Sequence, residues 1–249
     1  LTSQDLTKRY ILPKNQFIFL PGSGFQIRKF LEDTPVEDKD ILVIGPNSEE
    51  LAGIFIENKA KSVIIIVNDN DSLLRSRFLL TGNKTISVRL MEFSNTDFKD
   101  SAFDIVYAQA SISTIDRKKI LKEIKRILKP EGIVCAGEIV NLEKDVPLFI
   151  KDLRENSEIS APWINELNDH YLNAGFEIIS EEDLSHRMQN FYRENSALLN
   201  DNKDDLTHQE KSYYKTVLKK MSHESNAYLN LGGFKYMGFK MITARKKPL

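Results

Sequence analysis

Apolar residues along this chain fall into short blocks whose spacing switches between strand-like runs and helix-like periodicity. Ile41-Leu42-Val43-Ile44 is a continuous apolar run that stops at Gly45 and predicts a buried strand. Over 48–61 the period becomes helical, with Leu51, Ala52, Phe55 and Ile56 on one face, and Asn47 and Glu50 have the spacing of a capping pair. The alternation continues with a strand at 62–67, a helix at 71–80 and a half-buried strand at 86–90. A fourth strand at 103–108 leads to a helix at 117–128, whose Ile120, Leu121, Ile124, Ile127 and Leu128 face inward. Lys129-Pro130-Glu131-Gly132 reads as that helix's stop signal. A fifth strand is expected at 133–139, a helix at 164–174 ended by Gly175, a sixth strand at 176–179 and a last strand at about 235–245.

Strands that are apolar on both faces, separated by helices, predict an α/β fold: a doubly wound, mostly parallel, seven-stranded sheet covered on both sides. In such sheets ligands bind outside the carboxyl ends of the strands, so the loop at 45–49 is the default site. The expected organisation is a lead-in with a turn and short helix over 1–35, a core over 36–184, a polar helical cap insertion over 185–230, and the core's final strand over 231–249.

Composition narrows the function classes. The chain has 249 residues, 35 basic against 36 acidic, so nothing points to nucleic acid or an anionic membrane as partner. The basic run Arg117, Lys118, Lys119, Lys122, Lys125, Arg126 and Lys129 reads as the solvated face of one helix. The single cysteine, Cys135, excludes an intrachain disulfide and reads as a small buried hydrophobe. No apolar stretch has the length of a membrane span and no signal peptide is visible, so the expected setting is the cytoplasm. No cluster has metal-ligand spacing and no serine sits in a nucleophile elbow. The weak candidates for chemistry are His186 and Asp183 near the cap junction, and Tyr107. The bland reading is the stronger one for His186 and Asp183, and Tyr107 reads equally as a core or rim aromatic.

Several segments, in order, resemble the class I S-adenosylmethionine-dependent methyltransferase family: the 98–106 run into the fourth strand, the 120–132 helix and turn, Asn173-Ala174-Gly175-Phe176 before the sixth strand, and Pro21-Gly22-Ser23-Gly24 ahead of the first. The resemblance implies a Rossmann-like fold, S-adenosyl-L-methionine as cofactor and a small-molecule substrate. It carries the family's cofactor contacts to Gly45, Pro46 and Asn47 in the first loop, to Asn68 or Asp69 for the ribose, to Glu92 and Phe93 for the adenine, and to Gln109 beside the sulfonium. The alternative for 68–71 is a turn and helix cap. The family's D-x-G-x-G-x-G falls on Val43, Gly45, Asn47 and Glu49, which keep one glycine of three and no acid. Two readings follow: an enzyme methylating a small or medium-sized molecule with weakened cofactor affinity, or a non-catalytic binding or scaffold protein of the same fold.

Overall fold

The computed structural model describes residues 20–201 and 222–247, with side chains placed outside 195–201. Seven strands form one sheet in the order β3-β2-β1-β4-β5-β7-β6. They are β1 Asp40–Ile44, β2 Ser62–Val67, β3 Ile86–Leu90, β4 Phe103–Gln109, β5 Leu128–Asn141, β6 Phe176–Asp183 and β7 Met237–Lys246. All neighbours are parallel except β7, which is antiparallel to both β5 and β6. The mostly parallel sheet expected from the buried runs is therefore present.

Alternate residues of each strand serve opposite faces. On β1, Ile41 and Val43 pack into the layer containing α1 (Ser23–Asp33) and α2 (Glu49–Glu57). Leu42 and Ile44 pack into the layer of α4 (Arg117–Ile127) and α6 (Leu167–Asn173). Period-two patterning in a two-sided sheet produces this division. Phe30, Phe55 and Tyr107 interlock in the first layer, with ring centroids 5.4–6.3 Å apart. The remaining helices are α3 (Asn70–Leu79), α5 (Leu148–Asn156) and α7 (Ser185–Asp201), and residues 222–229 are again helical. Positions 202–221, which hold much of the expected cap, lie outside the described residues.

Several expectations are corrected. Lys129-Pro130-Glu131-Gly132 does not separate helix from strand but is an excursion inside β5. Phe103 pairs with Leu128 and Ile105 with Ile133, and Glu131 takes φ +62°. The strand at 176–179 runs on to Asp183, and the helix expected from 164 starts at Leu167. The helix α5 was not expected. The basic run is not uniformly solvated: Arg117 is buried, and Lys129 Nζ donates to Asp104 (2.7 Å) and Asp40 (3.1 Å). That bridge ties the starting ends of β1, β4 and β5 together. Burial works against the Asp40 carboxylate, but bonds from Ser62, Lys129 and Lys61 outweigh it and bring its pKa down to about 2.

Candidate functional site

At the carboxyl end of the sheet, the loops after β2, β3 and β4 meet α5 and the segment following it around a cavity of about 440 Å³. Asn68 enters from the end of β2, Glu92 and Phe93 from the end of β3, and Thr114, Ile115 and Asp116 from the turn into α4. Arg154 of α5, with Glu158, Ile159 and Ser160 beyond it, forms the facing wall. The volume falls in the range of small-molecule sites. Phe93 is buried, whereas Ile115 is 89% exposed, an apolar side chain held at the cavity mouth without cover.

The far wall is fastened by a buried polar network. Arg117 Nε donates to Glu138 (2.5 Å), Arg117 Nη2 donates to the Ser160 carbonyl (2.5 Å), and Tyr171 OH donates to the other Glu138 oxygen (2.6 Å). Ser160 N also donates to the Ser113 carbonyl (2.8 Å). Glu138 is fully buried, and its charge is tolerated because the guanidinium and a phenol satisfy it. Sequence periodicity saw Arg117 only as one more cation on a helix.

The cavity thus gathers Asn68, Glu92 and Phe93 from the residues expected on sequence grounds. Asp69 lies beside it but caps α3, its carboxylate accepting from Ser72 N (2.7 Å). Burial opposes that carboxylate, yet the bonds from Ser72 keep its pKa below the ordinary value. Gln109 is buried under α1. Its Nε2 donates to the carbonyls of Pro21 (2.8 Å) and Ser23 (2.9 Å), and its Oε1 accepts from Tyr107 OH (2.9 Å). Gln109 thereby anchors the start of α1, and Tyr107 sits wholly in the core, where burial drives its pKa up. His186 and Asp183 are both exposed, at the start of α7 and the end of β6. Asp183 accepts from Ser185 N (2.9 Å), and neither residue lines the cavity.

Gly45, Pro46 and Asn47 make the turn from β1 into α2 next to this cavity rather than in its lining. The expected Asn47–Glu50 capping pair is replaced. Asn47 adopts φ +59°, Ser48 becomes the N-cap residue, and its hydroxyl turns back to the Gly45 carbonyl (2.8 Å). Gly45 has φ +117°, and a Cβ there would come within 2.4 Å of Ser111 Cβ, so glycine is required by both conformation and space. The first turn of α2 carries Glu49 and Glu50. Ser76 donates to Glu49. Burial, with Glu49 nearby, pushes the Glu50 pKa up to about 7. Thr114, Ile115, Arg154 and Ser160 were missed by sequence reading. The switch-point rule pointed to the post-β4 turn, but nothing local marked α5 as a cavity wall.

Residues 43–136 match the family model described as a methyltransferase domain. No curated protein matches the chain. Among solved structures, the chain is similar to phosphoethanolamine N-methyltransferase 2 of Haemonchus contortus in complex with S-adenosyl-L-methionine, at TM-score 0.74 and 14% identity, covering 99% of this chain and 58% of that one. It is also similar to a sarcosine dimethylglycine methyltransferase, so described as putative, from Galdieria sulphuraria, at TM-score 0.68 and 12% identity over 90% and 84% of the two chains. The [4+2]-cyclase SpnF gives TM-score 0.66 and 19% identity over 88% and 78%. At these identities the likenesses establish the fold.

Proposed function

We propose, on the premise that residues 43–136 match the methyltransferase-domain family model, that the chain is an S-adenosylmethionine-dependent enzyme that methylates a small or medium-sized molecule. The observation that carries this reading is the cavity at the ends of β2, β3 and β4, where Asn68, Glu92 and Phe93 converge with the uncovered Ile115. Those side chains fit a nucleoside. Phe93, Ile115 and Ile120 offer apolar contact to a planar base, while Asn68 and Glu92 offer acceptors to ribose hydroxyls and an exocyclic amine.

The amino-acid half of the cofactor meets a less ordinary environment. A helix N-terminus favours a carboxylate, but the first turn of α2 already carries Glu49 and Glu50. This supports the expectation of weak cofactor affinity. When bound, S-adenosylmethionine supplies an electrophilic methyl group on a sulfonium with a neutral leaving group. The protein's share is then to orient the acceptor and exclude water. No residue at the cavity has to be a general base unless the acceptor enters protonated.

Calorimetric titration of the whole chain with S-adenosylmethionine and S-adenosylhomocysteine tests the proposal. Saturable binding of both is expected, weakened by Glu92→Ala. Absence of binding by either would favour the non-catalytic reading, and the [4+2]-cyclase SpnF, similar in fold, is the precedent for a departure from methyl transfer.

A further inference from the structure

Two residues that line the cavity each carry a buried polar atom with no hydrogen-bond partner among the described residues: Nη2 of Arg154 and Oγ1 of Thr114. Buried donors are nearly always paired in folded proteins, and each unpaired one is costly. The two come from different elements, α5 and the turn after β4, and share one cavity.

The Arg154 side chain is held rather than loose. Nη1 donates to Asn141 Oδ1 (2.6 Å), and Nε donates to the Ile150 carbonyl (3.3 Å). Asn141 is itself fixed, since its Nδ2 donates to the Ala161 carbonyl (2.9 Å) and its backbone N to Pro162 (2.7 Å). The guanidinium is therefore oriented with one nitrogen left over. None of the ion pairs among the described residues includes Arg154. Partial burial lowers its pKa, as expected for a half-buried cation without a counter-ion.

The remaining charges define the ligand further. Asp116 is neutralised by Lys119 at 2.7 Å. Glu92, Glu155 and Glu158 are exposed and form an acidic rim. A purely anionic ligand would gain nothing from that solvent-screened rim, and a purely cationic one would leave the inner guanidinium without a counter-ion.

We infer that Arg154 and Thr114 form an anion anchor that takes the carboxylate or phosphate of a small molecule whose cationic group faces the rim of Glu92, Glu155 and Glu158. The inference rests on the proposed methyltransferase reading and specifies the charge pattern of what that site binds. The anion has two sources, a methyl acceptor or the amino-acid end of the cofactor. A planar guanidinium and a hydroxyl lining one cavity suit either oxyanion.

Isothermal titration of the whole chain at constant ionic strength tests this, using wild type, Arg154→Gln, Arg154→Lys and Thr114→Val. The probes are inorganic phosphate and acetate, each with and without methylthioadenosine, and S-adenosylhomocysteine against methylthioadenosine. Phosphate or acetate is expected to bind wild type and to lose about tenfold in affinity in Arg154→Gln, with partial recovery in Arg154→Lys and a smaller loss in Thr114→Val. If that loss occurs while S-adenosylhomocysteine binding holds, the anchored group is the acceptor's. If S-adenosylhomocysteine weakens about tenfold while methylthioadenosine does not, the group is the cofactor's carboxylate. Affinities for every probe unchanged within about twofold in Arg154→Gln and Thr114→Val, with unfolding midpoints like wild type, would overturn the anchor. Failure of the methyltransferase reading looks different: wild type binds neither nucleoside, whereas anion binding still depends on Arg154.

Discussion

Arg117 at the start of α4 and Glu138 inside β5 form an ion pair of 2.5 Å that solvent scarcely reaches, with the guanidinium 6% and the carboxylate 0% exposed. The same guanidinium holds the Ser160 carbonyl, so one pair of charges joins the sheet, a helix and a wall of the cavity. Removing one member leaves the other charged and dry. Arg117→Met is expected to destabilise the protein by about 3–5 kcal/mol in urea unfolding. Arg117→Met combined with Glu138→Gln should cost less than the sum of the single changes. Additive losses would show that the two residues act independently.

Glu50 gives the protein an unusual pH response. Its folded pKa, raised to about 7 by burial and by Glu49, lies above the ordinary carboxyl value of 4.5. The folded state therefore binds more protons than the unfolded state between those two values. Its contribution to stability is complete below the lower value and is lost as pH rises through the upper. Glu50→Gln should consequently be more stable than wild type at pH 8, by about 1 kcal/mol once partial solvent screening is allowed for. The difference should vanish by about pH 4. Chemical unfolding at three pH values measures it, and a gain that is independent of pH would contradict the assignment.

Gly45→Ala should destabilise the chain by about 3 kcal/mol, from a positive φ and from overlap with Ser111. Adding Ser111→Gly should restore only part of this, because it relieves the overlap and leaves the backbone conformation strained. Thermal unfolding of the single and double variants separates the two contributions.

Glu92→Ala should weaken S-adenosylmethionine and S-adenosylhomocysteine by about tenfold in titration calorimetry. Its unfolding midpoint should be unchanged, because Glu92 is exposed. A loss confined to stability would remove Glu92 from the ligand site.

The strands were legible because each of β1, β2 and β4 is an apolar run, and no other element buries both of its faces so economically. Helix α5 escaped notice because Leu148-Phe149-Ile150 is a contiguous apolar triplet, with only Leu153 returning at helical spacing. Asn47 and Glu50 have the right separation for a capping pair, yet the turn needs a left-handed residue after Gly45 and Pro46, and Asn47 fills it. Glu92 and Phe93 were found by position at the end of a strand. Arg154 was not, because its meaning depends on Asn141, thirteen positions away, and on Thr114, forty positions away.

The strand β7 lies between β5 and β6, and β6 has no other partner in the sheet. In chain order, though, β7 comes after both. While the polypeptide is being synthesised, β5 and β6 must therefore wait with open edges until residues 237–246 leave the ribosome. Nine register pairs with β5 then form together. Biosynthesis thus has a commitment point close to the final strand, and a nascent chain stalled before it would present the open edge of β5 and a wholly unpaired β6 to chaperones or to other copies of itself.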